Sequence, residues 1–423
     1  MGEWPASLPL KIGNLVLGSI AVTRLRTQLF VIACRTIIAG VCALGIWYSW
    51  NLARADSLFR LDTEDSVRAA IRIEPDASGY YMRLAQFDDA HAQQLLETSI
   101  NLNPYNAPAY IELGLRFEAA GEYARAEKSL LQAFAIDRTF MPRWSLANFY
   151  FRRDNMPAFW VWARRAAEMP SDSMGPLFEL CWHASPEPSE ITTKILTNDP
   201  ELIRQYLSFL LDKDQLPAAA ETANRLTQFG DPETDTTQVS QVIDRMIAAG
   251  NGDAAKALWN VLISKHWVVA DAGAPNNPNF ARDPLPLGFD WSLPTYSGLH
   301  SSTGPSGLES EFSGEQPEDC TVANQAVVLA PGKYELDYAY RTNGIPPQTG
   351  LRWQIIASGS DAPLAESPDL SSESQSYGKV VFSVPPDLSL YHLRLQYRRA
   401  LGTTRISGSL VIPSIQIHAI PQV

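Results

Sequence analysis

Small and large apolar residues alternate with a helical period in residues 106–137. Two runs of this kind are separated by Gly121 and Glu122, which predicts two helices joined by a turn. An alanine or a glycine on one helix lets a bulky residue of the next helix approach closely, as ridge-into-groove packing requires. Because two such helices bury too little surface alone, we expect further copies to stack on them. The packing positions are Tyr110, Leu113, Gly114, Phe117, Ala126, Leu130 and Ala133.

The same helical period extends from about Asp62 to Ile263, in short amphipathic segments separated by Pro, Gly or Asp-Pro. Around residues 266–288 the composition changes to Pro, Asn and Gly, which indicates a boundary. Beyond it the apolar residues recur with a period of two, at 334–340, 380–384, 391–397 and 406–417. Several half-buried strands of this kind predict an antiparallel β-sandwich.

One apolar run, Leu29–Trp50, is long enough to cross a bilayer as a helix, which takes about 20 residues. Arg35 lies near one end, where its side chain can reach the headgroups, and an aromatic cluster lies at the other end. The slight cationic excess before the run favours a cytoplasmic N-terminus. The alternative is a cleaved signal peptide, because Ala53 and Ala55 form an A-x-A-like site just after the run.

Together these patterns predict a multidomain chain of the class α then β. The predicted divisions are a cytoplasmic segment 1–28, a transmembrane helix or signal anchor 29–50, a helical repeat domain 51–265, a linker 266–288 and a β-sandwich 289–423. The expected location is the bacterial inner membrane, crossed once, with the bulk on the periplasmic side. Secretion after signal cleavage is the alternative.

The packing positions match the tetratricopeptide (TPR) signature in order and spacing, so this stretch resembles that family. Arg138 stands where the family usually has a proline. The resemblance implies an α-solenoid whose inner helices line a groove for a partner protein. It also implies an apolar groove floor with a charged edge. The groove positions it gives are Ile111, Leu115, Glu118, Ser145, Phe149 and Arg152.

The last third of the chain resembles a carbohydrate-binding-module-like jelly roll in the order of its segments, from NPNF and GFDW through GLRWQI to ISGSLVIPSIQI. In that fold the first and last segments pair, which would bring Phe280 and Trp291 close to Ile412. Aromatic rings suit the apolar faces of sugars, and the implied stacking residues are Trp291, Trp353 and Tyr377. The alternative is that aromatic residues alternating along strands belong to the core.

Composition and motifs restrict the function class. The formal net charge of -12 argues against nucleic acid as a partner through bulk electrostatics. The chain carries no H-E-x-x-H, G-x-x-x-x-G-K-[ST], G-x-S-x-G or paired C-x-x-C motif, so we expect no metal, no cofactor and no enzymatic activity. Cys181 and His183 are close in sequence, but residues at this spacing diverge on a helix.

The predicted function is therefore a membrane-anchored, non-enzymatic TPR scaffold of the bacterial envelope that binds a protein partner. Its organisation resembles accessory proteins of exopolysaccharide assembly or export. The alternative is a glycan-binding protein that acts through the β-sandwich, with the helices as a spacer and a polysaccharide as the partner. An enzyme with a site hidden between the modules is a third hypothesis.

Overall fold

The structure, a computed structural model, describes residues 13–169, 174–271, 273–285 and 287–421, with side chains from Phe30 onward. It divides into two compact units, residues 1–155 and 156–423. This division falls inside the predicted helical domain and not at the predicted linker. Of the predicted cytoplasmic segment, residues 1–12 lie outside the described residues. The predicted order, helices followed by an antiparallel β region, is confirmed.

The first unit consists of helices that contact mainly their neighbours in sequence, as expected for stacked hairpins. Alternate helices also meet, because helix Ala107–Ala119 (α5) contacts helix Phe140–Arg152 (α7) as well as helix Tyr123–Ile136 (α6). The start of α5 and the start of α7 are 33 residues apart, close to the TPR repeat length. The helices are α1 (Gly13–Phe59), α2 (Glu64–Ile73), α3 (Ser78–Leu84), α4 (Ala92–Leu102), α5 (Ala107–Ala119), α6 (Tyr123–Ile136) and α7 (Phe140–Arg152).

The α5–α6 hairpin explains the pattern of small and large residues. Asn106 caps α5 by accepting the backbone N–H of Ala109, and Gly121 turns the chain with a φ of 79°. Gly114 lies directly under Leu130, so a Cβ on Gly114 would be 2.9 Å from the Leu130 Cγ. Leu130 is fully buried, which stabilises the hairpin by about 1.5–3 kcal/mol. Among the packing positions Tyr110 is half-buried and the other six are buried.

In the second unit the helical pairs continue and are followed by the strands. Asp199 and Asp231 cap the helices that they precede, and each is followed by a proline at the first helical position. Trp160, which occupies the place of a small alanine, lies half-exposed with Lys194 over its ring. The helices are α8 (Met156–Ala167), α9 (Gly175–Ala184), α10 (Pro188–Lys194), α11 (Pro200–Asp212), α12 (Leu216–Phe229), α13 (Pro232–Ala248) and α14 (Gly252–Ser264).

The strands are β1 (Leu299–Gly304), β2 (Gly307–Ser313), β3 (Asp319–Val328), β4 (Gly332–Asn343), β5 (Leu351–Ala357), β6 (Pro363–Glu366), β7 (Ser376–Val384), β8 (Leu390–Arg398) and β9 (Ser407–Ala419). They form two antiparallel sheets, a five-stranded sheet of order β1-β2-β9-β4-β7 and a four-stranded sheet of order β3-β8-β5-β6. Along β2 and β7 buried residues alternate with exposed ones, as the period of two predicts.

β9 is a single strand that covers most of the predicted positions 406–417. Pro413 lies within it, although proline has no N–H to donate to a ladder. The strand tolerates Pro413 because its register against β4 shifts at this point, between Ala339 and Arg341. Ile415 then donates its backbone N–H to the Pro278 carbonyl at 2.9 Å. The segment before β1 therefore meets the last strand, as the resemblance implied.

The predicted linker contributes to the core of the sandwich. Phe280 is fully buried in the same apolar cluster as Ile412, and its ring centroid lies 4.8 Å from that of Trp291. Asn276 and Asn277 are buried, and their side-chain oxygens accept backbone N–H groups of the same segment. The linker region is therefore ordered by its own side-chain hydrogen bonds.

Helix α14 packs directly on the sandwich. A Cβ on Gly252 would be 2.8 Å from the Leu390 Cβ, so only glycine permits this approach. Ser389 donates its hydroxyl to Asp253 Oδ2 at 3.1 Å. Leu390 is fully buried at this contact. The end of the helical region and the β-sandwich consequently share one packed interface within the second unit.

Candidate functional site

The predicted partner groove lies on α5 and α7 of the first unit. Ile111 and Leu115 are one turn apart on α5, and Leu115 is 38% exposed. Arg152 donates two hydrogen bonds to Glu118, Nε to Oε1 at 2.8 Å and Nη2 to Oε2 at 2.7 Å. These bonds raise the pKa of Arg152. The two predicted edge charges thus form a bidentate pair that joins α5 to α7.

Two of the predicted groove residues do not reach the surface. Ser145 is buried and donates its hydroxyl to the Met141 carbonyl at 2.9 Å. Phe149 is also buried, with its ring edge against Tyr150 at 5.2 Å between centroids. Buried residues lie on more than one face of α7. The part of the predicted groove that reaches the surface is therefore the half-buried Ile111 and the exposed Leu115, beside the Glu118–Arg152 pair.

The predicted sugar-stacking residues separate into two groups. Trp291 and Trp353 are fully buried in the sandwich core, with ring centroids 6.0 Å apart. Neither presents a ring face to a ligand, so the expectation of stacking by these two is corrected. Trp353 occupies a buried position of the alternation along β5, and Trp291 lies in the segment before β1. Tyr377 lies on β7 and is 78% exposed. Of the three predicted stacking residues, Tyr377 alone remains available.

A cleft of about 580 Å³ lies on the outer face of the five-stranded sheet. It is built on a cross-strand row in which His300, Glu311, Ser409 and Asn343 lie side by side on β1, β2, β9 and β4. Neighbouring strands are about 4.8 Å apart, so the row extends about 14 Å. We call these four residues the polar cleft.

The next row along the sheet continues the polar surface. It consists of Ser302, Glu309, Val411 and Arg341, and a second depression of about 430 Å³ lies beside Arg341. Within the described residues no ion pair or hydrogen bond joins the side chains of Glu309 or Arg341 to a neighbour. The surface thus offers an unpaired acceptor and an unpaired donor on either side of Val411, which suits a polyhydroxyl ligand.

The sequence contained a partial signal for this surface. The alternation in β2 placed Leu308 and Phe312 inside and therefore Glu309 and Glu311 outside. What it did not contain was the partner of β2, because β9 follows about 100 residues later. The positions of the aromatic residues therefore do not indicate the polar cleft.

A smaller cavity of about 180 Å³ lies between α13 and the turn that precedes Trp291. Asp244, Asp290 and His392 line it. Burial raises the pKa of both carboxyls and lowers the pKa of His392. Asp244 Oδ1 accepts the backbone N–H of Gly288 at 2.7 Å, and Asp290 Oδ1 accepts that of Trp291 at 2.8 Å. The two carboxylates therefore hold this turn in place against α13.

Cys181 and Cys320, the two cysteines of the second unit, are both buried. Burial raises the pKa of Cys320 to about 11 and raises the pKa of Cys181 further, so neither thiolate forms at neutral pH. His183 Nε2 lies 3.6 Å from Glu179 Oε1. Among the described residues, no group of three His, Cys, Asp or Glu side chains is placed to hold a metal ion.

The N-terminal helix is the candidate membrane segment. Residues Phe30–Phe59 have a mean hydropathy of 2.0 over their most apolar window, and that window is 0% buried. Its aromatic residues Trp47, Tyr48 and Trp50 are exposed. By length and composition this helix can cross a membrane or act as a signal sequence.

Comparison with known proteins gives distant structural similarities. No family model matches the chain, and no curated protein matches it. Among solved structures, it is similar to a thermophilic TPR protein of Thermus thermophilus, with 20% identity over 31% of this chain and 78% of that one, at a TM-score of 0.27.

Two further structures are similar to other extents of the chain. YrrB, a TPR protein with an unusual peptide-binding site, is 15% identical over 48% of this chain and 93% of its own, at a TM-score of 0.24. A CBM4 structure is 11% identical over 35% of this chain and 100% of its own, at a TM-score of 0.28. Each similarity covers less than half of the present chain.

Proposed function

We propose that this chain is a membrane-anchored, non-enzymatic scaffold whose helical hairpins bind a protein partner. The observation that carries the proposal is the exposed surface of α5, where Ile111 and Leu115 lie beside the Glu118–Arg152 pair. Apolar residues at i and i+4 accept an apolar segment of a partner, and the paired charges fix the polar edge of that contact. We call this surface the α5 surface.

The proposal includes an uncleaved anchor. Ala55, the second alanine of the A-x-A-like site, is fully buried, and Phe59 four residues later stacks on Tyr80 at 4.7 Å. Cleavage after Ala55 would cut α1 within the stretch that packs on α2. The free energy of that packing would be lost from the first hairpin. Retention of α1 is therefore the expectation, and the mass of the mature N-terminus tests it.

The proposed location of the chain is the bacterial inner membrane, with the bulk of the protein on the periplasmic side. It is supported by the cationic residues that precede the apolar run. The proposed biological process is exopolysaccharide assembly or export, in which the chain would act as an accessory scaffold. Fusions of a reporter that is active only in the periplasm, after Phe59 and at the C-terminus, test the orientation. Both fusions should be active, and inactivity of both contradicts a periplasmic location.

Site-specific photocrosslinking in the native host tests the partner proposal. A photoreactive residue at Ile111 should give one defined protein adduct. Leu115→Lys should abolish that adduct, because it places a charge in the apolar contact. The matched control is Leu131→Lys, since Leu131 on α6 is 39% exposed and Leu115 is 38% exposed. An adduct that survives Leu115→Lys, or that disappears equally with Leu131→Lys, contradicts a role for the α5 surface.

A second candidate function is glycan binding at the polar cleft, with Tyr377 as the stacking residue. One feature favours it. Tyr377 lies opposite Ala339 of β4, on the same face of the sheet as the unpaired side chains of Glu309 and Arg341. Sugar hydroxyls need both donors and acceptors, and a nearby aromatic face adds an apolar contact. The alternative of a plain solvated sheet predicts no retention on any glycan.

Affinity electrophoresis of the full chain in gels that contain cell-envelope polysaccharides separates these alternatives. Glycan binding predicts retarded migration that Tyr377→Ala and Glu311→Gln reduce. Tyr123→Ala is the control, because Tyr123 is an exposed aromatic residue on α6, which belongs to the first unit. The full chain is needed because Gly252 of α14 covers Leu390 of the sandwich. Equal migration in gels with and without every glycan refutes this second function.

A further inference from the structure

Helix α1 changes its character at Trp50. From Phe30 to Trp50 nearly every side chain of α1 is exposed, whereas beyond Trp50 one stripe of the helix becomes buried. In that stripe Leu52 is half-buried, Ala55 is fully buried and Phe59 stacks on Tyr80. Because α1 is one unbroken helix, no joint separates the apolar segment from the first hairpin. The direction of α1 through a membrane therefore fixes the direction of the adjoining helices.

Helix lengths then give the height of each turn above the bilayer. At 1.5 Å per residue, α1 rises about 13 Å between Trp50 and Phe59. The short connection to α2 makes it antiparallel, and its ten residues return about 15 Å toward the membrane side of the hairpins. α3 leads away again and α4 returns. The turn after α4, residues 103–106, therefore lies on the membrane side of the hairpins.

Hydrogen bonds fix that turn relative to α3. Ser99 of α4 donates its hydroxyl to the Ser78 carbonyl at 2.8 Å, and Asn106 donates its amide to the Ser99 hydroxyl at 3.1 Å. Ser99 is fully buried, so this chain of bonds is shielded from water. The backbone N–H of Tyr105 is bonded to Asn103 Oδ1 at 3.1 Å. The turn is thus held in one conformation.

The side chains that this turn presents are apolar or aromatic. Leu102 is 38% exposed and Tyr105 is 80% exposed. Among the described residues, Tyr105 makes no ring contact and its hydroxyl has no hydrogen-bond partner. Tyr123, at the opposite end of the next hairpin, differs because the Arg153 guanidinium lies 3.6 Å from its ring centroid. Tyrosine is the residue type favoured at the membrane–water interface, where the ring is apolar and the hydroxyl is hydrated.

We propose that the turn of residues 103–106 lies in the headgroup region of the membrane crossed by α1, with Leu102 and Tyr105 inserted into the interface. This inference rests on the proposed membrane anchor and adds a second contact with the same bilayer. Two contacts, one through α1 and one through the turn, prevent rotation of the first hairpins about the α1 axis. The α5 surface would then face a fixed direction relative to the membrane.

Depth measurement by electron paramagnetic resonance tests this inference. The full chain is reconstituted in phosphatidylethanolamine–phosphatidylglycerol vesicles with one nitroxide label per variant. Cys42 is exposed on α1 and reports the span in a Cys34→Ala variant. Tyr105→Cys and Tyr123→Cys are made after Cys34→Ala and Cys42→Ala, since Cys181 and Cys320 are buried. Collision with oxygen reports lipid, and collision with a nickel chelate reports water.

The expected result is an oxygen-to-nickel accessibility ratio that is highest at position 42, intermediate at 105 and lowest at 123. A ratio at 105 equal to that at 123, with position 42 in lipid, overturns the interfacial turn and leaves the anchor intact. A water-like ratio at all three positions overturns the anchor and the turn together. A lipid-like ratio at 123 also overturns the inference, because Tyr123 lies at the end of the hairpins that the geometry directs away from the membrane.

Discussion

Replacement of Gly114 by alanine tests whether close helix approach governs the repeat. Two effects oppose each other. Alanine in a helix interior is favoured over glycine by about 1 kcal/mol. The added Cβ, however, would lie 2.9 Å from the Leu130 Cγ and 3.3 Å from the Ala126 carbonyl oxygen. Overpacking of this kind costs about 1–3 kcal/mol. Since the two contributions differ in sign, Gly114→Ala should lower the free energy of unfolding by between about 0 and 2 kcal/mol.

A matched variant isolates the packing term. Gly79 lies in α3, and a Cβ added there would have nothing within 4 Å, so Gly79→Ala should gain up to about 1 kcal/mol. The double variant Gly114→Ala with Leu130→Ala provides a second control. Leu130→Ala alone should cost about 2–5 kcal/mol, and less when an alanine at position 114 already fills part of the cavity. Coupling between the two sites of about 0.5–3 kcal/mol is expected.

Hydrogen exchange of the reconstituted full chain, read by mass spectrometry over residues 107–136, measures these effects locally. Each 1.4 kcal/mol changes the exchange rate about tenfold where exchange follows local opening. Gly114→Ala should speed exchange in α5 and α6, and Gly79→Ala should not. Equal stabilisation by both alanine variants, or strict additivity of Gly114→Ala with Leu130→Ala, would refute the packing explanation of the sequence pattern.

Three further predictions concern the second unit. Burial raises the pKa of Asp244 above its ordinary 3.8, so the folded state binds more protons than the unfolded state, and the free energy of unfolding falls as the pH rises from 3.8 through the raised value. Asp244→Asn should flatten this pH dependence in thermal unfolding. An unchanged slope of stability against pH contradicts the prediction. Gly252→Val should lose about 1–3 kcal/mol in denaturant unfolding, whereas Gly273→Ala, with nothing within 4 Å, should stay within about 0.5 kcal/mol. Trp353→Ala should cost about 3–5 kcal/mol and Tyr377→Ala should cost far less; similar losses would contradict their assignment to core and surface.

The packed contact between α14 and the sandwich bears on how the terminal domain is studied. Gly252 and Leu390 meet too closely to admit a side chain at position 252. Trp259 is likewise covered by Gly288, whose Cβ would lie 2.7 Å from the indole ring. A fragment that begins after α14 would expose these apolar surfaces to water. Binding experiments with the sandwich therefore need the helices that cover it.

Local sequence patterns determined the elements of this protein. The helical period and the alanine and glycine positions predicted the α5–α6 hairpin, because residues that pack within a hairpin are close in sequence. The period of two predicted β4, β7 and β8 for the same reason, since alternation reports only which side of a strand is buried. These elements, and their order of α before β, followed from the sequence alone.

The tertiary structure decided which surfaces are covered. Trp353 and Tyr377 are both aromatic residues on strands, yet one lies in the core and the other at the surface. The polar cleft needs β2 beside β9, and Phe149, predicted to line a groove, is buried. A side chain's apolarity is a local property, whereas its exposure depends on partners distant in sequence. The chain therefore encodes its helices and strands locally, and the exposure of its proposed binding surfaces only through their assembly.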